Sequence, residues 1–239
     1  GRSAAAPVID ALPELSSGRA SSSALSGLGR GPGEGEGRGR SYTFRMTLEL
    51  RLRPATTGDV HAIKALVGPL AQEGVLVIKE TVAYYEGIQE FLIAELVDDD
   101  PSGAGLVDES GIAYGQPSPS GTSARIVGCG ALHVMWQDLA EIRTLAADPR
   151  VRGQGVGWRL VEALLERARR LGVDRVFCLT FEVEFFQRQG FRVMADQRPI
   201  DPDVFAELLR SHDEGVAEFL DLARVKPNTL GNTRMIRTL

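Results

Sequence analysis

Apolar and polar residues alternate with period two in Leu48-Glu49-Leu50-Arg51-Leu52-Arg53, which predicts a first strand with one buried face. The turn-forming stretch Pro54-Ala55-Thr56-Thr57-Gly58-Asp59 follows, and a Thr or Asp there can cap a helix. Val60, Ile63, Leu66 and Val67 carry helical spacing, and Gly68-Pro69 is expected to end that helix. A second helix is expected over 80–89, and Phe91-Leu92-Ile93-Ala94-Glu95 reads as the second strand. Residues 98–123 contain three consecutive aspartates and several Gly, Pro and Ser, so they read as a mobile surface loop inserted between two paired strands. The third strand spans 125–134 and the fourth 139–147. From Val156 to Leu171 the apolar stripe Leu160, Leu164, Ala168, Leu171 is backed by Arg159, Glu162, Glu166, Arg167 and Arg170, an amphipathic helix. Val176-Phe177-Cys178-Leu179 is apolar throughout and therefore a central fifth strand. A short helix over 182–189 closed by Gly190, a helix over 201–210 and a terminal strand over 234–239 complete a mixed α/β pattern.

A chain of 239 residues is long enough for one full-sized domain. Residues 1–45 are rich in Gly, Ser, Ala and Arg without apolar periodicity, so they are expected to be a disordered extension, with the folded domain over 46–239 opening at Met46. The acidic residues Asp10, Glu14, Glu34 and Glu36 and the lack of an apolar run make this extension a poor signal or transit peptide. No apolar stretch approaches the ~20 residues needed to span a membrane. Cys129 and Cys178 both sit in apolar strand contexts and read as reduced core thiols of a cytoplasmic protein. Three histidines and two cysteines, widely spaced, give no metal signature. A net charge of −5 argues against a nucleic-acid partner.

The stretch most charged with chemistry is Arg152-Gly153-Gln154-Gly155-Val156-Gly157, between an apolar strand and the amphipathic helix. Glycines there let backbone N–H groups point into one concavity, the helix dipole adds partial positive charge, and Arg152 adds a full one. The expected ligand is a phosphate-rich cofactor. A P-loop would end in Gly-Lys-Ser/Thr, whereas Trp158 follows here, and a dinucleotide fingerprint belongs to a first strand–helix turn rather than past mid-chain.

The Arg-x-x-Gly-x-Gly of Arg152, Gly155 and Gly157, the preceding strand Ala140–Pro149 and the segment Phe185-Phe186-Gln187-Arg188-Gln189-Gly190-Phe191 together resemble the GCN5-related N-acetyltransferase (GNAT) superfamily over roughly 50–239. The resemblance implies a mixed, mostly antiparallel sheet split between strands 4 and 5 and flanked by helices. It also implies acetyl-CoA in the split, with its pyrophosphate on residues 152–158 (Arg152, Gly153, Gln154, Gly155, Val156, Gly157, Trp158) and its thioester by Leu145, Ala146 and Ala147. Four separated segments go further: Ile78-Lys79-Glu80, Ala140–Thr144, Leu179–Phe186 and the tail Val225-Lys226-Pro227-Asn228 with Gly231–Met235. They resemble the short, stand-alone N-acetylglutamate synthases, which implies acetylation of L-glutamate, with L-glutamine also accepted by some members, at the start of arginine biosynthesis. A homodimer is common in this superfamily.

Period two places Leu139, Glu141, Arg143 and Leu145 on one strand face. An amine nucleophile has to lose a proton, and Glu141 can take it, directly or through water. The other reading of Glu141 is a strand carboxylate paired with Arg143. Many superfamily members carry an acidic tyrosine where this chain has Phe186; Thr180 is the nearby hydroxyl, and it can equally cap the following helix. The backbone N–H of Leu145 or Ala146 is the expected oxyanion donor. Lys79, Arg143, Lys226, Asn228 and Arg234 are the expected contacts to a carboxylate-bearing amino acid, each of which could instead be a solvated surface group. Two other functions stay open: acetylation of another amine, such as a protein N-terminus or an antibiotic, and a non-catalytic acyl-CoA or amino-acid sensor.

Overall fold

The first predicted strand runs to Pro54 (β1, Leu48–Pro54) and pairs antiparallel with β2 (Phe91–Asp98), Leu50 opposite Leu96. β2 in turn pairs with the long β4 (Gly121–Trp136), and β4 with β5 (Leu139–Ala147). β5 is joined in parallel to β6 (Arg175–Thr180); β8 (Thr233–Thr238) then lies between β6 and the two-residue β7 (Arg192–Val193). The sheet order is β1-β2-β4-β5-β6-β8-β7, with β3 (Gln116–Ser118) beside β4. The structure, a computed structural model, describes residues 48–239 apart from 78, 99–103, 108–109, 195–199 and 221–230. No helix among them is long and apolar enough to cross a membrane.

Successive residues of a strand face opposite ways, and the helices exploit this. Ile93, Ile126 and Cys129 pack with Val60, Ile63 and Val67 of α1 (Val60–Gln72). Their neighbours Ala94 and Val127 pack instead with Val156, Leu160 and Leu164 of α3 (Val156–Arg170). The two helices therefore cover opposite faces, and each fully buried leucine contributes roughly 1.5–3 kcal/mol. A third cluster joins Leu139 and Phe177 of the sheet to Leu208 of α5 (Pro202–Leu208) and to Val216 and Phe219 of α6 (Glu214–Phe219). Two short helices, α2 (Thr81–Glu86) and α4 (Val183–Arg188), complete the set.

Two expectations differ from what is observed. Gly68-Pro69 does not end α1, which continues to Gln72 because Leu66, Val67 and Leu70 remain buried around it; burial outweighs one missing backbone donor. The segment 98–123 also carries more structure than its composition suggests. Asp98 still belongs to β2, and its Oδ2 accepts from the Gly105 N–H at 2.7 Å. Leu106 is buried, and β3 and the start of β4 lie within the segment.

A buried polar network fixes the sheet edge. Glu95, fully buried on β2, accepts from Arg51 Nη2 at 2.7 Å and Arg53 Nε at 2.9 Å. Arg53 also grips Asp59, with both contacts at 2.7 Å, which ties the start of α1 to β1.

Candidate active site

The parallel ladder between β5 and β6 is short: Leu139–Ile142 pair with Arg175–Cys178, and the pairing goes no further. Just beyond, Thr144 has φ 56°, the one positive value at a non-glycine residue among those described. Ala131 faces Arg143 and Cys129 faces Ala146, so Gly130 lies opposite both Thr144 and Leu145. This is a β-bulge, held at a cost of order 1–3 kcal/mol for a β-branched residue in the left-handed region. It corrects the expected strand face. Glu141 and Arg143 share one side, but Leu145 is turned into the α3 core with Ala140 and Ile142.

From Ala147 the chain turns towards α3. Asp148 Oδ1 accepts from the Arg150 N–H at 2.9 Å, and Oδ2 accepts from the Gly115 N–H at 2.7 Å, so the 98–123 segment is tied to the residue ahead of the glycine loop. Gly153 (φ 82°) and Gly155 (φ 75°) take left-handed backbone, which a side chain would oppose, and Gly155 is the N-cap of α3. Arg152, Gly153, Gln154 and Trp158 are exposed, whereas Val156 and Gly157 are buried and can offer only backbone N–H groups. The loop therefore fits a phosphate-bearing molecule: open, glycine-turned and set on the N-terminus of a helix of 15 residues.

On the other side of β5 lies a cluster of charges. Glu141 is 5% exposed, and its Oε2 has no hydrogen-bond partner among the described residues. Burial pushes its carboxyl up to about 7, with Asp213 adding to the rise and Arg143, Lys79 and His133 opposing it. The expected pairing of Glu141 with Arg143 is loose, at 3.8 Å. Arg143 is committed elsewhere, to Asp213 Oδ2 at 2.8 Å and Glu90 Oε2 at 3.0 Å. His133, opposite Glu141 on β4, shares those two carboxylates: Nδ1 lies 2.8 Å from Glu90 and Nε2 3.5 Å from Asp213. Lys79 belongs to the same field. Its ammonium is held below the usual lysine range by burial and by Arg143, and it makes no ion pair within 4 Å among the described residues.

The remaining candidates fall as follows. Thr180 is buried at the end of β6, and its Oγ1 accepts from the Glu182 N–H at 2.9 Å, a local turn ahead of α4. Phe186, at the position of the missing tyrosine, is buried in edge-on contact with Phe185 and Phe191. Arg234, on β8 opposite Leu179, donates to the Glu218 carbonyl at 3.3 Å. Lys226 and Asn228 lie outside the described residues. Sequence reasoning missed Glu90, His133, Asp213 and Gly215. The start of α6 was legible, since Asp213 precedes the helical spacing Val216, Phe219, Leu220.

A model of the "Acetyltransferase (GNAT) family" matches residues 84–191. An amino-acid acetyltransferase of Mycobacterium tuberculosis is 47% identical over 188 residues, which cover 79% of this chain and 94% of the relative. The chain belongs to the GNAT acetyltransferase family. A solved M. tuberculosis protein, in complex with CoA and NLQ, is 45% identical with a TM-score of 0.63, covering 79% of this chain and 99% of that one. The amino-acid acetyltransferase of Neisseria meningitidis serogroup A is 27% identical over 147 residues, 61% of this chain but 28% of its own length. An N-acetylglutamate synthase from Neisseria gonorrhoeae, complexed with coenzyme A and N-acetyl-glutamate, shares the fold at 22% identity and a TM-score of 0.54, with 35% of its chain covered. As a GNAT enzyme this chain is an acyltransferase with acetyl-CoA as co-substrate. The divergence of β5 from β6, the bulge and the glycine-capped α3 are features of this GNAT domain. Among the described residues no group of three or more His, Cys, Asp or Glu could hold a metal ion.

Proposed function

We propose that this GNAT enzyme acetylates the α-amine of L-glutamate, giving N-acetylglutamate at the first step of arginine biosynthesis, and accepts L-glutamine as a second substrate. The observation carrying this reading is Glu141: a buried carboxylate with an unpartnered oxygen and a midpoint pushed up to about 7, beside the break in the sheet. Acetyl-CoA is held by the backbone of residues 152–158 with Arg152 on its pyrophosphate, and by Leu145, Ala146 and Ala147 along its acyl arm. Glu141 takes a proton from the substrate ammonium, and the freed amine nitrogen bonds to the thioester carbon. A backbone N–H at the bulge, Leu145 or Ala146, steadies the carbonyl oxygen as it becomes an oxyanion. The C–S bond then breaks, the nitrogen gives up its second proton to form the neutral amide, and the leaving thiolate takes up a proton to become the free thiol of CoA. The Thr180 hydroxyl, which accepts one hydrogen bond and keeps its own O–H, is the donor nearest in kind to the absent tyrosine.

Lys79 is the cation available for a substrate carboxylate, because Arg143 is already balanced by Asp213 and Glu90. Arg234, Lys226 and Asn228 are assigned to the same substrate.

The test is CoA-thiol release from acetyl-CoA with each amino acid offered singly. Turnover with glutamine or glutamate alone supports the reading; turnover only with a peptide or drug amine, or none despite acetyl-CoA binding, overturns it. Arg152→Ala is expected to raise the KM for acetyl-CoA roughly ten- to hundred-fold, the loss of one charge-assisted contact of about 1.5–3 kcal/mol. An unchanged KM removes Arg152 from the pyrophosphate.

A further inference from the structure

Residues 213–215, at the start of α6, bring two features to Glu141 that take no direct part in the acetyl transfer. The first is a carboxylate whose oxygens have separate tasks. Asp213 Oδ1 caps the helix, accepting from the Gly215 N–H at 2.9 Å and the Val216 N–H at 3.2 Å. Asp213 Oδ2 accepts from Arg143 Nη1 at 2.8 Å. The same Nη1 stands 3.8 Å from Glu141 Oε2, so the guanidinium sits with Asp213 and not with Glu141. The second is an absence of side chain. A Cβ on Gly215 would lie 2.1 Å from Glu141 Oε2 and 2.9 Å from its Cδ, so the helix backbone lies directly against the carboxylate, where a side chain would collide with it. The helix is anchored where it must be: Phe219 packs edge-on against Phe177, centroids 5.5 Å apart, and Val216 and Leu220 are buried beside them.

We propose that Asp213 and Gly215 are positioning residues for Glu141: Asp213 draws Arg143 off the base, and Gly215 leaves the space in which the carboxylate stays dry and unpaired. The proposal rests on the assignment of Glu141 as the base. The titratable and charged groups facing Glu141 are Arg143 on its own strand, His133 on β4, Lys79 ahead of α2 and Asp213 ahead of α6, with Glu90 reaching Arg143 and His133 from before β2. Removing the negative charge of Asp213 releases Arg143 Nη1, already 3.8 Å from Glu141 Oε2, while Nη2 stays with Glu90, and both the lost charge and the released donor favour the ionised carboxylate.

The experiment is a titration of the Glu141 carboxyl in the full chain, by 13C NMR of labelled glutamate or by infrared, with Glu141→Gln to assign the signal. It needs no substrate, so it reports even if no amino acid is turned over and the functional reading fails. In Asp213→Asn, where asparagine caps a helix as well as aspartate, the midpoint is expected to fall by about one pH unit, and the acidic limb of kcat/KM to move with it. Asp213→Ser, another capping residue, serves if the Asn variant does not fold. Gly215→Ala is expected to lower kcat about a hundred-fold with the KM for acetyl-CoA unchanged, although alanine is the better helix former. An unmoved Glu141 midpoint in a folded Asp213 variant overturns the role of Asp213; a fully active Gly215→Ala overturns that of Gly215.

Discussion

Glu141→Gln is expected to lower kcat by roughly two to four orders of magnitude, the usual worth of a positioned general base, while the KM for acetyl-CoA stays within about two-fold. The substitution keeps shape and volume and removes only the ability to accept the proton. Burial gives the native carboxylate a midpoint of about 7. A base with its midpoint near the working pH is both substantially ionised and strong enough to compete for an amine proton. Below that midpoint the ionised fraction falls about ten-fold per pH unit, so native kcat/KM should rise through pH 7, on top of the ionisation of the substrate amine itself. The variant lacks that limb. Its deficit should therefore be widest just above pH 7 and should narrow in acid, where the native carboxylate is protonated. Steady-state rates between pH 5.5 and 9 decide it. Full activity at pH 8, or a large loss of acetyl-CoA binding, would remove Glu141 from the role of base.

How much of this was legible in the chain depends on which forces set each feature. The bounds of the strand Leu139–Ala147 could be read residue for residue, because a mostly apolar run between polar turn residues is a local signal, although its burial does not alternate. The α3 helix and its glycine loop were legible for the same kind of reason: a stripe, a capping glycine and a charge in fixed order. The bulge at Thr144 was not. Nothing in Arg143-Thr144-Leu145 marks a left-handed residue, since the strain is imposed by Gly130 facing two residues at once and by Leu145 seeking the α3 core. Arg143 was read correctly as facing the site, yet its partners Asp213 and Glu90 lie 70 and 53 residues away in sequence and are brought in by tertiary packing. The periodicity of a strand identifies the face on which a charge lies; the charge that balances it arrives with the fold.

The second large effect concerns stability. A Glu141 midpoint of about 7 in the folded protein, against 4.5 for a free glutamate, means that folding opposes ionisation at this position. Below pH 4.5 the carboxyl is protonated in both states and contributes nothing. As pH rises from 4.5 to 7 the unfolded chain gives up its proton freely while the folded one retains it, so the native state loses ground; above 7 the full difference, about 3 kcal/mol, is felt. Glutamine cannot ionise. The stability of Glu141→Gln relative to the native protein should therefore improve by about 3 kcal/mol between pH 4.5 and pH 8, whatever its absolute offset from the altered buried amide. Titrating groups distant from residue 141 are common to both proteins and cancel in the comparison. Urea unfolding of the two proteins side by side across that range measures it. Parallel stability curves would mean that Glu141 ionises as freely when folded as when unfolded, and the buried, unpaired base on which catalysis is argued would not exist. A widening gap, joined to the loss of kcat in the same variant, would show the enzyme carrying a destabilising charge at the site of proton transfer.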